Sequence, residues 1–296
     1  DSDAGRLIRS LLREYAEAAA ACGGVPDNAR SLFREALKKQ EEKEEKTGFD
    51  AFQSRSVKRI AAGLDNPDAR PRGTLAAFLE YEENGPDRLS PYMGRVAGTV
   101  SPGDGLTIEV EADRTDLALK TGYLFPFLHT VAKTGDPNGI RRGLRFDLPL
   151  VIMLLMDTVQ EKGLDLTVGG AGYYLVKNAK NIKRTGYMAV DSIRASRKNQ
   201  VSEERPIFSG SKDGFYEEDT FPEALDACSA HILRLYELMR KGTFHLPLCS
   251  VSEQSCSNCS FSRLCRKEQL RLEKIRRNAA NAGQTPDRLH TVAEIF

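Results

Sequence analysis

Four cysteines near the end of the sequence form its most specific chemical pattern. Cys249, Cys256, Cys259 and Cys265 lie within seventeen residues, with two residues between the central pair. Such a gap lets a tight turn bring both thiolates to one metal centre, and four sulfur ligands suit zinc or an iron–sulfur cluster. The surrounding segment SEQSCSNCSFSRLCRK is too polar for a core of free thiols. The pattern therefore predicts a sulfur-ligated metal centre, and it leaves zinc and iron–sulfur open.

The fourth ligand of this centre is also open. Cys249 is the nearest candidate in sequence, whereas Cys22 is remote and depends on the fold to bring it close. A third arrangement places the fourth ligand outside this sequence. Cys228 falls in a helical pattern and is more typical of a core residue.

Acidic and basic side chains that could take part in catalysis occur on two predicted strands. The segment LTIEVEADRTD alternates apolar and polar residues, so Glu111 and Asp113 share one strand face. The segment FLHTVAKTG is a second short strand that ends in a turn, and alternation puts His129, Val131 and Lys133 on one face. A carboxylate on a solvated face is the simple interpretation of Glu111, and a partly buried, hydrogen-bonded histidine that of His129.

Helices must hold these strands in place. Apolar residues at helical spacing indicate helices within residues 1–47, in the segment that ends at Gly163, and at roughly 222–241. Strand patterns cover 94–127 and 171–177. This order predicts a mixed α/β sheet with helices packed on its faces.

Composition limits the classes of protein that fit. The chain has 296 residues, 40% of them hydrophobic, and a formal charge of +1, so a nucleic-acid surface must come from local clustering of basic residues. The longest apolar run, 148–156, is about half the length that a bilayer requires. We therefore expect a cytoplasmic protein without membrane contact, in which the cysteines are not structural disulfides.

Five short motifs follow one another in a fixed order. They are Gly5-Arg-Leu-Ile-Arg9, VEADRTD at 110–116, VAKTG at 131–135, GLRFDLPLV at 143–151 and CSNCSFSRLCR at 256–266. They resemble the motifs G-x-x-x-H, G-x-I-D-R-I-D, D-Y-K-T-G, G-x-x-x-Q-L-P-L-Y and the C-terminal cysteine signature of the AddB-type branch of the RecB-like nucleases. The resemblance implies a PD-(D/E)XK (restriction-endonuclease-like) fold: a mixed sheet flanked by helices, with an N-terminal helical region and a C-terminal [4Fe-4S] cluster.

The same resemblance implies a catalytic site. In that family two carboxylates hold Mg²⁺ or Mn²⁺, and a lysine helps to activate water for phosphodiester hydrolysis. Asp113 and Lys133 match this pattern, but Arg9 stands in place of the histidine, Val131 in place of the second acid and Asp147 in place of the glutamine. A valine side chain cannot coordinate a metal, so the strict pattern predicts weak cutting or none.

Asp147 has two interpretations. It begins the helix beside the D-x-K strand, where a carboxylate could replace the lost acid, so that Asp113 and Asp147 would be the metal ligands and Asp113, Lys133 and Asp147 the catalytic set. Alternatively, Asp147 caps the N-terminus of that helix, two residues before Pro149.

These observations predict a domain for DNA-end processing or double-strand-break repair. The resemblance implies single-stranded or duplex DNA ends and a helicase subunit as partners. No Walker-type phosphate loop occurs in the sequence, so we expect the helicase motor on that partner. One rival is a catalytically inactive nuclease fold that binds DNA or a partner. Another is a zinc-bearing interaction protein. We expect three parts: helical residues 1–90, a PD-(D/E)XK core at 91–244, and a cysteine segment with a basic tail at 245–296.

A metal assay tests the cysteine cluster directly. We expect the protein purified without oxygen to be brown and to contain iron and acid-labile sulfide, because the resemblance to the RecB-like nucleases implies an iron–sulfur cluster. Substitution Cys249→Ser measures whether that residue is the fourth ligand. Stoichiometric zinc without iron would refute the iron–sulfur assignment and leave a zinc site.

Overall fold

A computed structural model describes most of the N-terminal and central chain. It covers residues 3–47, 57–64, 72–84, 89–103, 105–131, 140, 145–190 and 215–242. Lys133 lies outside the described residues, and so does the predicted cysteine segment at 245–296, with Cys249, Cys256, Cys259 and Cys265. None of the described helices is both long and apolar enough to cross a membrane.

The helices follow the predicted apolar periodicity. They are α1 (Asp3–Cys22), α2 (Ala29–Thr47), α3 (Thr74–Glu83), α4 (Asp147–Glu161) and α5 (Phe221–Arg240). In α1, the buried stripe that includes Ile8, Leu12 and Tyr15 recurs at i, i+4 and i+7 and faces the core. The helix ends where Gly23 adopts a positive φ of 68°, which glycine tolerates without strain. The helices predicted within 1–47, up to Gly163 and near 222–241 are confirmed.

The strands form one large mixed sheet and a separate hairpin. They are β1 (Leu89–Met93), β2 (Val96–Gly103), β3 (Leu106–Ala112), β4 (Arg114–Ala118), β5 (Tyr123–Thr130), β6 (Thr167–Val168), β7 (Gly170–Asn178), β8 (Asn181–Val190) and β9 (Phe215–Tyr216). The order in the large sheet is β1-β4-β5-β7-β8-β9, and β6 also pairs with β5. Pairing is parallel between β5 and β7 and antiparallel between β4 and β5, so the predicted mixed α/β sheet is confirmed.

Helices cover both faces of this sheet. On one face, Tyr15 of α1 and Phe78 of α3 pack edge to face with ring centroids 5.0 Å apart, and Phe78 contacts Tyr174 of β7 at 5.5 Å. On the opposite face, Tyr173 reaches Asp147 at the start of α4, because neighbouring strand residues point to opposite sides. The β2–β3 hairpin packs its apolar side against α4 through a small core that includes Val110.

Among the strands longer than two residues, two differ from the sequence expectation. The chain enters the sheet at Leu89, inside the region predicted to be helix-leaning, and β8 was not predicted. In β8, polar residues dominate the segment NIKRTG, so apolar alternation gives little signal. The strand forms because it pairs with β7 in an antiparallel hairpin, in which Asn178 is opposite Asn181.

A buried network of charged side chains joins α3 to the sheet. The Glu82 carboxylate contacts Arg114 Nη1 at 2.5 Å and Arg184 Nη2 at 2.6 Å, and Tyr174 Oη donates to it. Arg114 Nε donates in turn to Asp116 Oδ1 at 2.5 Å. These ionised side chains are all at most 4% exposed. Each buried charge therefore has an opposite partner, as a low-dielectric interior requires.

Removing the central carboxylate should destabilise the fold strongly. We expect Glu82→Gln to lower the free energy of unfolding by about 3–5 kcal/mol, because two buried guanidinium groups lose their shared partner. The matched control is Glu83→Gln, at the next residue, where the side chain is 48% exposed and lies 3.9 Å from Arg30. This control should cost about 1 kcal/mol or less. Urea unfolding compares the two, and equal losses would contradict the role of the network.

Candidate functional site

Asp113 lies where the hairpin and the large sheet separate. Strand β3 ends at Ala112 and pairs only with β2, whereas β4 begins at Arg114 and pairs with β5. The Asp113 backbone N–H donates to the Phe127 carbonyl at 3.0 Å, and the residue is 4% exposed. The alternation predicted for β3 holds up to Ala112, after which the bend turns the Asp113 carboxylate inward.

Both oxygens of the Asp113 carboxylate accept hydrogen bonds. Arg13 Nε in α1 donates to Oδ1 at 2.6 Å. The backbone N–H of His129 in β5 donates to Oδ2 at 2.7 Å. The side chain therefore ties a helix to the end of the central strand, over a sequence separation of 100 residues in the case of Arg13.

Glu111 belongs to the same group of charges. Its Oε1 lies 2.7 Å from Arg13 Nη2, and its Oε2 accepts from Arg95 Nη2 at 2.7 Å. The hydrogen bond from Arg95 lowers the pKa of Glu111; burial opposes this change, and the charge of Arg13 adds to it. Glu111 thus lies on the polar, partly exposed face of β3, and two arginines hold it beside Asp113.

His129 is buried beside Asp113 with an uncharged ring. Burial lowers the pKa of its imidazole to about 4, although the nearby Asp113 charge acts in the opposite direction. Its ring packs against Tyr174 with centroids 5.6 Å apart. Within the described part of the chain, both ring nitrogens are buried without a hydrogen-bond partner. The predicted burial of His129 is confirmed, and its hydrogen bonding stays a prediction.

Asp147 does not cap its helix. The N-cap position of α4 is Phe146, and no side-chain capping hydrogen bond forms there. Instead, Asp147 Oδ2 accepts from Tyr173 Oη at 2.5 Å and from Arg145 Nη2 at 2.8 Å. Its Oδ1 is buried and has no hydrogen-bond partner among the described residues. The capping interpretation is wrong, and this carboxylate keeps an acceptor oxygen.

The fold brings some of the predicted site residues to one end of the sheet. Asp113 bonds to His129 of β5, and Asp147 bonds to Tyr173, whose register partner in β5 is Leu128. The two carboxylates are thus linked through adjacent strand positions, and each has its own set of partners. Val131 follows the end of β5 and packs against the core. The position of Lys133 relative to them stays a prediction.

The described residues around Asp113 do not fit a divalent ion in this arrangement. Each Asp113 oxygen already uses one of its two lone pairs in a hydrogen bond from the protein, and the Arg13 guanidinium, 2.6 Å from Oδ1, repels a second cation. The position of the second acid holds Val131, which offers no oxygen. In the ranges that the structure covers, no three His, Cys, Asp or Glu side chains form a group that could hold a metal ion.

No family model matches the chain, and no curated protein matches it. Functional inference therefore depends on the motifs of this sequence and on the contacts that its residues make.

The buried histidine has a measurable pH signature. The pKa of His129 falls from 6.5 to about 4 on folding, so the unfolded chain takes up this proton first. We expect the free energy of unfolding to decrease as the pH falls from about 6.5 towards 4, and we expect His129→Gln to flatten that slope. Urea unfolding at several pH values measures this effect, together with NMR titration of the imidazole. A His129 resonance that titrates near its ordinary pKa would contradict the burial.

Proposed function

We propose that this chain is a RecB-like nuclease-fold domain that acts on DNA ends in double-strand-break processing, with metal-dependent hydrolysis weak or lost. The observation that supports this proposal most is the location and hydrogen bonding of Asp113. It lies at the separation of the hairpin and the sheet, and its two carboxylate oxygens are bonded to Arg13 and to the backbone of His129. The PD-(D/E)XK assignment within the observed α/β class is part of the proposal.

Motif positions in the fold support this assignment. VEADRTD spans the junction between β3 and β4, VAKTG follows the end of β5, and DLPLV opens α4. The motifs that resemble nuclease motifs therefore fall at strand and helix ends, where a sheet presents polar groups for chemistry.

Two features support weak or absent cutting. Phosphodiester hydrolysis of this type needs carboxylates with oxygens available for a metal ion. Asp113 is paired with a guanidinium, and Val131 replaces the second acid. Among the described groups, the carboxylate of the first motif position is therefore already paired, and the second motif position has none.

Arginine side chains beside Asp113 support DNA binding. The side chain of Arg13 is 43% exposed and that of Arg95 is 51% exposed, so both present donors to solvent while they hold Glu111. Arg6 and Arg9 precede Arg13 by seven and four residues, on the same face of α1. Guanidinium groups bind phosphate oxygens and release counterions from DNA. Local clustering thus offsets the small net charge of the chain.

The remaining assignments are part of the same proposal. Cys249, Cys256, Cys259 and Cys265 would hold a [4Fe-4S] cluster, with zinc as the alternative. A cytoplasmic helicase subunit would supply the motor that this sequence lacks.

A second candidate function is an active nuclease, and one observation favours it. Asp147 Oδ1 is buried without a hydrogen-bond partner in the described part of the structure, at the same end of the sheet as Asp113. A carboxylate with a spare oxygen could replace the acid that Val131 lacks. Asp113, Lys133 and Asp147 would then form the catalytic set, with Mg²⁺ or Mn²⁺ as the ion.

Binding and cutting assays on the whole chain separate the two candidates. We expect the protein to bind linear duplex or single-stranded DNA in EDTA, and to cut it weakly or not at all with Mg²⁺ or Mn²⁺. Val131→Asp supplies the missing acid and should raise cutting, and Lys133→Ala in that background should abolish it. Fluorescence anisotropy and gel-based cleavage measure the two activities.

Three outcomes decide between these functions. Efficient cutting by the wild type that Asp147→Asn abolishes would establish the second candidate. Binding without cutting supports the first. A wild-type chain that neither binds nor cuts DNA would refute both and favour a zinc-bearing interaction protein.

A further inference from the structure

One arginine spans the two carboxylates at the candidate site. Arg13 Nε lies 2.6 Å from Asp113 Oδ1, and Arg13 Nη2 lies 2.7 Å from Glu111 Oε1. The guanidinium is planar, and its donors form a fixed fork that suits two acceptors at once. Arg13 therefore occupies the oxygens of both residues from the side of α1.

A second arginine, Arg95, pairs with Glu111 from another side. Arg95 Nη2 lies 2.7 Å from the other oxygen of Glu111, and the Arg95 backbone N–H donates to Glu17 Oε1 at 2.7 Å. Two guanidinium groups carry two positive charges, which is the charge of one divalent ion. They carry it on the same pair of carboxylates, Glu111 and Asp113.

We propose that Arg13 and Arg95 are a built-in substitute for a divalent ion at Glu111 and Asp113, and that they bind a DNA phosphate without metal. The DNA part rests on the proposed function, whereas the exclusion of metal does not. The two arginines lower the pKa of Glu111, and their half-exposed faces bind the phosphate oxygens.

Competition between the arginine and a metal ion follows from the burial of Asp113. The residue is 4% exposed, so its carboxylate cannot exchange Arg13 for water at low cost. A hydrated metal ion has to break two charge-assisted contacts and turn Arg13 into solvent before it gains an oxygen ligand. When Arg13 is absent, Asp113 and Glu111 are left as two adjacent carboxylates without that cation, and divalent ions bind such oxygens.

A manganese titration tests the substitution on the full chain. Using electron paramagnetic resonance, we expect Arg13→Gln to bind one more Mn²⁺ per chain than the wild type. We expect Asp113→Asn in the Arg13→Gln background to remove that ion. Arg6→Gln is the matched control, since it removes the same charge from the same helix two turns away and should add no Mn²⁺ site.

Two results would overturn the metal part. One is that the wild type binds Mn²⁺ and that Asp113→Asn abolishes this binding. This result needs no Arg13 variant, so it holds even if Arg13→Gln fails to fold. The other is a folded Arg13→Gln protein, verified by circular dichroism, that gains no Mn²⁺.

DNA binding in EDTA tests the phosphate part. We expect Arg13→Gln to weaken anisotropy-measured binding of a labelled linear duplex by about tenfold, the loss of one charge-assisted contact. Arg13→Lys keeps the charge but lacks the forked guanidinium, so its DNA affinity should lie between those of the wild type and Arg13→Gln. Wild-type affinity in Arg13→Gln would overturn this inference while the proposed function stands. A wild type that binds no DNA would overturn the proposed function and leave the manganese result valid.

Discussion

The buried carboxylate of Glu82 is the interaction on which the arrangement of this fold depends. Burial alone would raise its pKa, but Arg114, Arg184 and the hydrogen bond from Tyr174 outweigh that effect and lower the pKa to about 2. Glu82 therefore stays ionised in a dry interior, where an unpaired charge is costly. Because its partners come from β4, β7 and β8, any shift of one strand against the others would leave a buried charge without a partner. The network thereby specifies one register for the sheet.

The same network determines where Asp113 lies. Arg114 follows Asp113 directly, and its side chain is fixed between Glu82 and Asp116. Since Arg114 is held on the face that packs against α1 and α3, the bend before it carries Asp113 towards Arg13 and the end of β5. The core is therefore the scaffold of the candidate site, and Glu82 influences the position of Asp113 through Arg114.

The spacing of apolar residues along the sequence predicted those helices and strands that bury one apolar face. Apolar periodicity indicated α1, α4 and α5, and strand alternation indicated the β2–β3 hairpin, because each buries one apolar face. The candidate residue Asp113 came from motif resemblance, and the fold places it at a junction that suits chemistry. Strand β8 escaped prediction because pairing with β7, not its own apolar content, stabilises it.

Long-range charge pairing was beyond the reach of the sequence. Arg13 looked like one polar position of an amphipathic helix, and nothing near it in sequence indicates Asp113, 100 residues away. Glu82 lay in a segment with little pattern. One of the two interpretations of Asp147 was a local helix cap, whereas in the structure its carboxylate contacts Tyr173 and Arg145. These contacts share one physical cause. Charged side chains pair with groups that the fold brings close, and such groups can be far apart in the sequence.

Charge balance connects the two departures at the candidate site. With an acid at position 131, Glu111, Asp113 and that acid would carry three negative charges, and Arg13 with Arg95 would leave one of them unbalanced. Val131 adds no such charge, and among the described side chains Arg13 and Arg95 pair with Glu111 and Asp113. Asp113 is 4% exposed, and a buried carboxylate tolerates a further unpaired negative charge poorly. The valine and the arginine pair are therefore mutually consistent, because the valine adds no negative charge and the arginines pair with the carboxylates that are present.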